Sequence, residues 1–172
     1  MTQEEKPKHA TIEFAVSELA SNSSFARVDA REYLVSMKGK AVPHLTEALR
    51  SKNQWVRWEA AKALSKIGDP AASQALIDAL DDKMFDVRWI AAEGLISIGR
   101  KALIPLLAAL SKKGESLWLR EGAHHIIHDL MREDLKGVFG PVLEAIEKPE
   151  GKLAVPLAAD KAMEELKRIL KQ

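Results

Sequence analysis

WVRWEAAKALSKIG, residues 55–68, is answered by VRWIAAEGLISIG at residues 87–99. Anchored on the arginine of this phrase, weaker copies appear on either side. Arg27 stands in FARVDAREYLVSM, and Arg120 stands in LWLREGAHHIIHDL. With Arg57 and Arg88 between them, successive arginines are 30, 31 and 32 residues apart. A fifth, decayed copy, AVPLAADKAMEEL, begins at Ala154 and places Pro156 in the arginine position. Self-similarity at a period between 20 and 50 residues is the signature of a repeat architecture.

Each unit reads as two helices. In the anchored helix Val56, Ala60, Leu64 and Ile67 recur at helical spacing, as do Val87, Ala91, Leu95 and Ile98, giving one apolar stripe per helix. Between these lie AVPHLTEALR, AASQALIDALDD, ALIPLLAALSKK and GPVLEAIEK, again with apolar residues three or four apart. Gly68 and Gly99 follow the last periodic residue, where a left-handed cap favours glycine. Asp69-Pro70 supplies an N-cap and a proline at the first helical position. Pro43, Pro105 and Pro141 fall early in the intervening helices, where proline does least damage. No alternating run or hairpin dipeptide supports a strand. The predicted fold is all-α: a solenoid of about five antiparallel helix pairs forming one domain over residues 11–172, after a disordered tail at 1–10. Its second helices are centred on Arg27, Arg57, Arg88, Arg120 and Pro156.

Composition narrows the class. Hydrophobic residues make up 47% and charged residues 30% of the 172, the balance of an ordered, soluble chain. Lys and Arg number 26 against 25 Asp and Glu, for a net charge of +1, which offers no general attraction to nucleic acid or membrane. With no cysteine, thiolate chemistry and Cys-based zinc sites drop out. The N-terminus lacks a signal-like apolar segment. The run ALIPLLAAL at 102–110 is far shorter than the roughly 18 residues of a membrane span. The expected location is the cytoplasm.

The pattern V-R-x-x-A-A-x-x-L-x-x-I-G at 56–68 and 87–99 resembles the HEAT repeat family, in particular the short HEAT-like repeats of the phycobilisome lyase type. The resemblance implies a right-handed stack whose second helices line a concave face, while saying little about chemistry. It also implies an aspartate before the arginine to pair with it. Asp82 fits before Arg88, whereas Ser51 holds the equivalent place before Arg57. MEELKRILKQ at the C-terminus suits a polar cap on the stack. Deoxyhypusine hydroxylases, a similar family, hold iron with His-Glu pairs after the arginine. Here those positions read Trp58-Glu59, Trp89-Ile90 and Glu121-Gly122, so that activity is not carried over.

On a helical wheel of about 100° per residue, Arg27, Arg57, Arg88 and Arg120 flank the apolar centre, as structural residues packing by their stems would. Trp58, Trp89 and Glu121 share a direction roughly 160° from that centre. Arg31, Ala61, Ala92 and His124 lie along a neighbouring direction. Trp55 and Trp118 share a third line. Small alanines beside tryptophans suggest a groove with aromatic walls, and exposed tryptophan is enriched at binding hot spots. The alternative use of these tryptophans is packing between repeats, with Trp58 stacked on Trp89. The predicted groove comprises Trp58, Trp89, Trp55, Trp118, Arg31, Glu121, His124 and His128. Glu121, His124 and His128 could share one face of a helix as three metal ligands, but HExxH is absent and no metal or other cofactor is expected. The leading function is a non-enzymatic scaffold that takes a protein or peptide partner. A chromophore-attachment lyase or its helper is the alternative. A DNA glycosylase-like groove is the third reading, and Glu59, Glu93 and Glu121 on the same helices argue against its phosphate contacts. Whether a small molecule binds is left open.

Overall fold

The computed structural model describes residues 11–148 and 151–169, with side chains from residue 153 onward in the second stretch; the predicted tail at 1–10 lies outside the described residues. Among the described residues there are ten α-helices and no strand. They are α1 Ile12–Glu18, α2 Ser24–Ser36, α3 Val42–Ala48, α4 Gln54–Ile67, α5 Ser73–Ala79, α6 Phe85–Ile98, α7 Leu103–Lys113, α8 Leu117–Leu130, α9 Lys136–Glu147 and α10 Gly151–Ile169.

The local chemistry that starts and stops these helices is the chemistry the sequence announces. Ser23, Asn53 and Ser116 turn their side-chain oxygens onto the first free N–H groups of α2, α4 and α8, the usual relief for donors without an intrahelical partner. Met84 precedes α6 and cannot cap it, so Asp82 accepts the Met84 N–H at 2.8 Å instead. Gly68 closes α4 at φ 64°, ψ 26°. Gly99 closes α6 at φ 75°, ψ −146°, a region open essentially to glycine alone. Pro43 sits in the first turn of α3. Pro141 differs from expectation: α9 begins at Lys136, so this proline lies inside the helix. A 3₁₀ turn at Glu133–Leu135 launches α9 early, and burial of Val138 and Phe139 holds that extra turn.

Phe85–Lys113 is, by length and composition, an apolar stretch that could cross a membrane, longer than the run at 102–110. In the fold Gly99 divides it into α6 and α7, and 44% of its most apolar window is buried.

The helices stack in two rows. In the second-helix row α2 packs on α4, α4 on α6 and α6 on α8; in the other, α1 packs on α3 and α5 on α7, while α3 meets the 3₁₀ turn leading into α5. The core between the rows is made of Leu34, Leu64 and Leu95 from the second helices facing Leu45, Leu76, Leu106 and Leu107, all fully buried. Ala60, Ala91 and Ala123 are fully buried on the second helices. Gly94 and Gly122 allow still closer approach: a Cβ on Gly122 would stand 2.9 Å from Leu80 Cδ2.

The fifth pair departs from this order. Continuation would seat α9 on α7 and α10 on α8. Instead α9 packs on α8, and α10 packs on α7 and α9. Pro156 therefore belongs to the first-helix row, not to a fifth second helix. Its ring lies against the end of α7, where a Cβ on Gly114 would come within 2.9 Å of Pro156 Cδ. The burial of Val155, Ala159, Ala162 and Leu166 anchors α10 there. Leu153 and Leu157 remain exposed at the start of α10, ahead of the MEELKRILKQ segment.

Candidate binding face of the second helices

The repeat arginines form a ladder. Arg27 Nη1 donates to Ser21 O at 2.8 Å, Arg57 Nη1 to Ser51 O at 2.9 Å and Arg88 Nη1 to Asp82 O at 2.8 Å. Each reaches the carbonyl six residues back, at the end of the preceding helix, where carbonyls lack intrahelical partners. The side chain at that carbonyl is irrelevant, which is why Ser51 serves as well as Asp82.

Each of these three arginines also meets a group from the next unit. Arg27 lies 5.1 Å from the Trp55 ring centroid, and Arg88 lies 4.5 Å from that of Trp118, both within cation–π range. Arg57 meets Asp82 through a two-pronged pair, Nε to Oδ2 at 2.6 Å and Nη2 to Oδ1 at 3.0 Å. The carboxylate of Asp82 thus pairs with the arginine of the preceding unit rather than with Arg88. Burial pushes the Asp82 carboxyl up, but the Arg57 hydrogen bonds, the Met84 N–H and the nearby cations outweigh it and hold it below its ordinary value. Reciprocally, the hydrogen bonds that Arg57 donates to Asp82 raise the pKa of its guanidinium further. Trp55 and Trp118 each stand two residues before an arginine, and each lies against the arginine of the preceding unit.

Arg31, expected in the groove, is buried, at 5% exposure. It forms an ion pair with Glu59 of α4, whose other oxygen lies 3.5 Å from Arg27 Nε. The direction assigned to Arg31 on the wheel faces α4, because α2 and α4 are neighbours in one row.

The tryptophans divide. Trp58 is half-buried against the core, edge-on to Trp55 at 6.3 Å, with Lys62 Nζ 4.2 Å from its ring centroid. Trp89 stays 47% exposed. Its ring is stacked on Phe85 at 6.3 Å and on His125 at 4.8 Å, so the expected Trp58–Trp89 stack is replaced by partners on either side. Between α6 and α8 lies a cleft of roughly 140 Å³, lined by Phe85, Arg88, Trp89, Trp118, Glu121 and His125 over a floor of Ala92 and Gly122. Trp55 and Trp58 line a smaller depression between α4 and α6. A wider one between α8 and α9, about 410 Å³, is lined by Leu117, Arg120, Glu121, His124, Ile146, Glu147 and Lys148. Trp55, Phe85, Leu117 and Trp118 are exposed as well, at 50%, 63%, 57% and 40%, all in the N-terminal halves of their helices.

Two residues of this face escaped the sequence reading although their signal was present. Phe85 lies four before Trp89, and His125 four after Glu121, so both fall on the line already drawn through Trp89 and Glu121. His125 also reaches Glu93 on α6 at 2.9 Å. His124 stacks on His128 at 6.3 Å and contacts Glu147 of α9 at 3.2 Å. Among the described residues no group of three or more His, Cys, Asp or Glu is placed to hold a metal ion, so Glu121, His124 and His128 do not converge as one. Glu121 and His124 line the α8/α9 cleft; His128 is one turn further on and exposed.

No curated protein matches this chain. Residues 12–96, from α1 into the last turn of α6, match the family model of HEAT repeats, without bearing on the phycobilisome lyase type. Over residues 12–96 the chain is a HEAT repeat protein, and the second-helix row continues past that span to α8.

Proposed function

We propose that this protein is a non-enzymatic scaffold whose second-helix face captures a protein or peptide partner by its apolar side chains. HEAT repeats commonly serve as protein-interaction scaffolds. The observation that carries the proposal is the cleft between Trp89 and Trp118, walled by exposed aromatics and floored by Ala92 and Gly122. Large aromatics held rigid by stacking lose little entropy when a partner covers them, and such residues dominate binding energy at interfaces. The flanking depressions on α4/α6 and α8/α9 extend the same face by one helix on each side.

Selection of random peptides on the immobilised protein tests this. Selected peptides should share apolar anchors and bind Trp89→Ala or Trp118→Ala at least about 30-fold more weakly, the scale of a hot-spot loss. Helical circular dichroism should be retained in both variants. Peptides that bind both variants as tightly as the parent would refute the proposal.

A further inference from the structure

Arg120 is the exception in the ladder. Its Nε, like those of Arg27 and Arg31, is buried without a hydrogen-bond partner. What sets Arg120 apart is that none of the carbonyl bonds, ion pairs or ring contacts that hold the other three repeat arginines engages it among the described residues. The carbonyl six residues back belongs to Gly114, where α7 ends against Pro156. The group from the next unit is missing because α10 has crossed to α7, leaving α9 beside α8. Arg120 thus lines the open α8/α9 cleft. Its neighbour in sequence, Glu121, does not satisfy it, since adjacent residues on a helix point apart. Glu147 in the same cleft is engaged by His124.

Arg57 shows the chemistry that completes such a site, a carboxylate held by two parallel hydrogen bonds. With Nε of Arg120 closed off, the edge it offers the cleft is that of its two terminal amino groups. We infer that Arg120 is a seat for a carboxylate supplied from outside, the Asp or Glu side chain of a bound peptide. This rests on the reading of the second-helix face as peptide-binding and specifies the peptide. The guanidinium fork matches a carboxylate in a way a lone ammonium does not. The neighbouring Phe85, Trp89 and Trp118 cleft lies across α8 from this seat. Packed helices are separated by about 8–10 Å, and an extended chain rises about 3.3 Å per residue. The partner is therefore an extended segment with an apolar or aromatic anchor and an acid three residues from it.

The test is an array of twelve-residue synthetic peptides, each with a Trp, Phe or Leu anchor and an Asp three residues to one side, beside a twin carrying Asn. Parent protein should retain the Asp members about 10-fold or more over their twins, the scale of a charged hydrogen-bonded pair. Arg120→Gln should bring both to the Asn level, and Arg120→Lys, which keeps the charge and loses the fork, should lose most of the difference. Trp89→Ala should lose both members. Equal binding of twins to the parent, with Trp89 dependence intact, overturns the seat and leaves the groove standing. A preference that survives Arg120→Gln overturns it too. Absence of any Trp89-dependent binding overturns the groove and the seat together. Thermal melts check that each variant is folded.

Discussion

At Arg57 and Asp82 the repeat resolves into a single pair with a measurable signature. Asp82 titrates below its ordinary value in the folded protein. A depressed carboxylate contributes stability that is complete above its unfolded pKa, about 3.9, and is lost as pH falls through the folded value. Urea unfolding of the parent should therefore show a loss of stability below about pH 4 to which this pair contributes, and Asp82→Asn should reduce that loss. Arg57→Gln at pH 7 should cost about 2–3 kcal/mol, because it leaves Asp82 enclosed with its main partner gone. Arg120→Gln, removing a side chain with no partner to strand, should cost well under about 1 kcal/mol. A loss at Arg120 equal to that at Arg57 would mean that the two arginines do the same structural work. The sequence shows the four arginines as equals; only the identity of their neighbours in space distinguishes them. Arg31 was misread for the same reason, since a wheel drawn on α2 does not contain α4.

At the level of the helices, punctuation was legible and packing partners less so. Glycine after a periodic run and Asp-Pro before one are local signals, and the structure uses both, the latter to start the 3₁₀ turn that leads into α5. Pro141 misled because a proline inside a helix is indistinguishable in sequence from one near its start when the preceding residues are weakly patterned. Gly99 carries the sharpest consequence. Its φ of 75° with ψ of −146° is closed to a side chain on backbone grounds alone, since nothing lies within 4 Å of the position its Cβ would take. Gly99→Ala should lower stability by about 1–3 kcal/mol. Gly137→Ala, in open space in the first turn of α9, should raise it by up to about 1 kcal/mol. Thermal denaturation of the two variants compares them directly. Equal shifts would place the constraint at Gly99 elsewhere than in its backbone.

For the whole molecule, the helix rows could be read from a period of about 30 residues, but the crossing of α10 could not. The decayed copy at 154–166 keeps apolar spacing that suits either row, and what decides between them is the fit of Pro156 against Gly114 at the end of α7. The clefts followed the same rule. The aromatic line and the place of His125 on it were legible, whereas the stacking of His125 on Trp89 depends on α6 and α8 coming together. If α10 is integral to the core rather than a lid on a finished stack, ending the chain at residue 148 should lower the melting temperature by about 10 °C or more and expose dye-binding apolar surface, given the four buried side chains it contributes. A truncated protein that melts like the parent would make α10 dispensable.

The crossing of α10 also sets the length of the ruler. With α9 occupying the slot beside α8, a copy of Asp69–Gly99 inserted after Gly99 would lengthen the face by one cleft and one arginine, while the same copy joined after α10 would meet no second helix on which to grow. Reach is thus encoded in the middle of the chain.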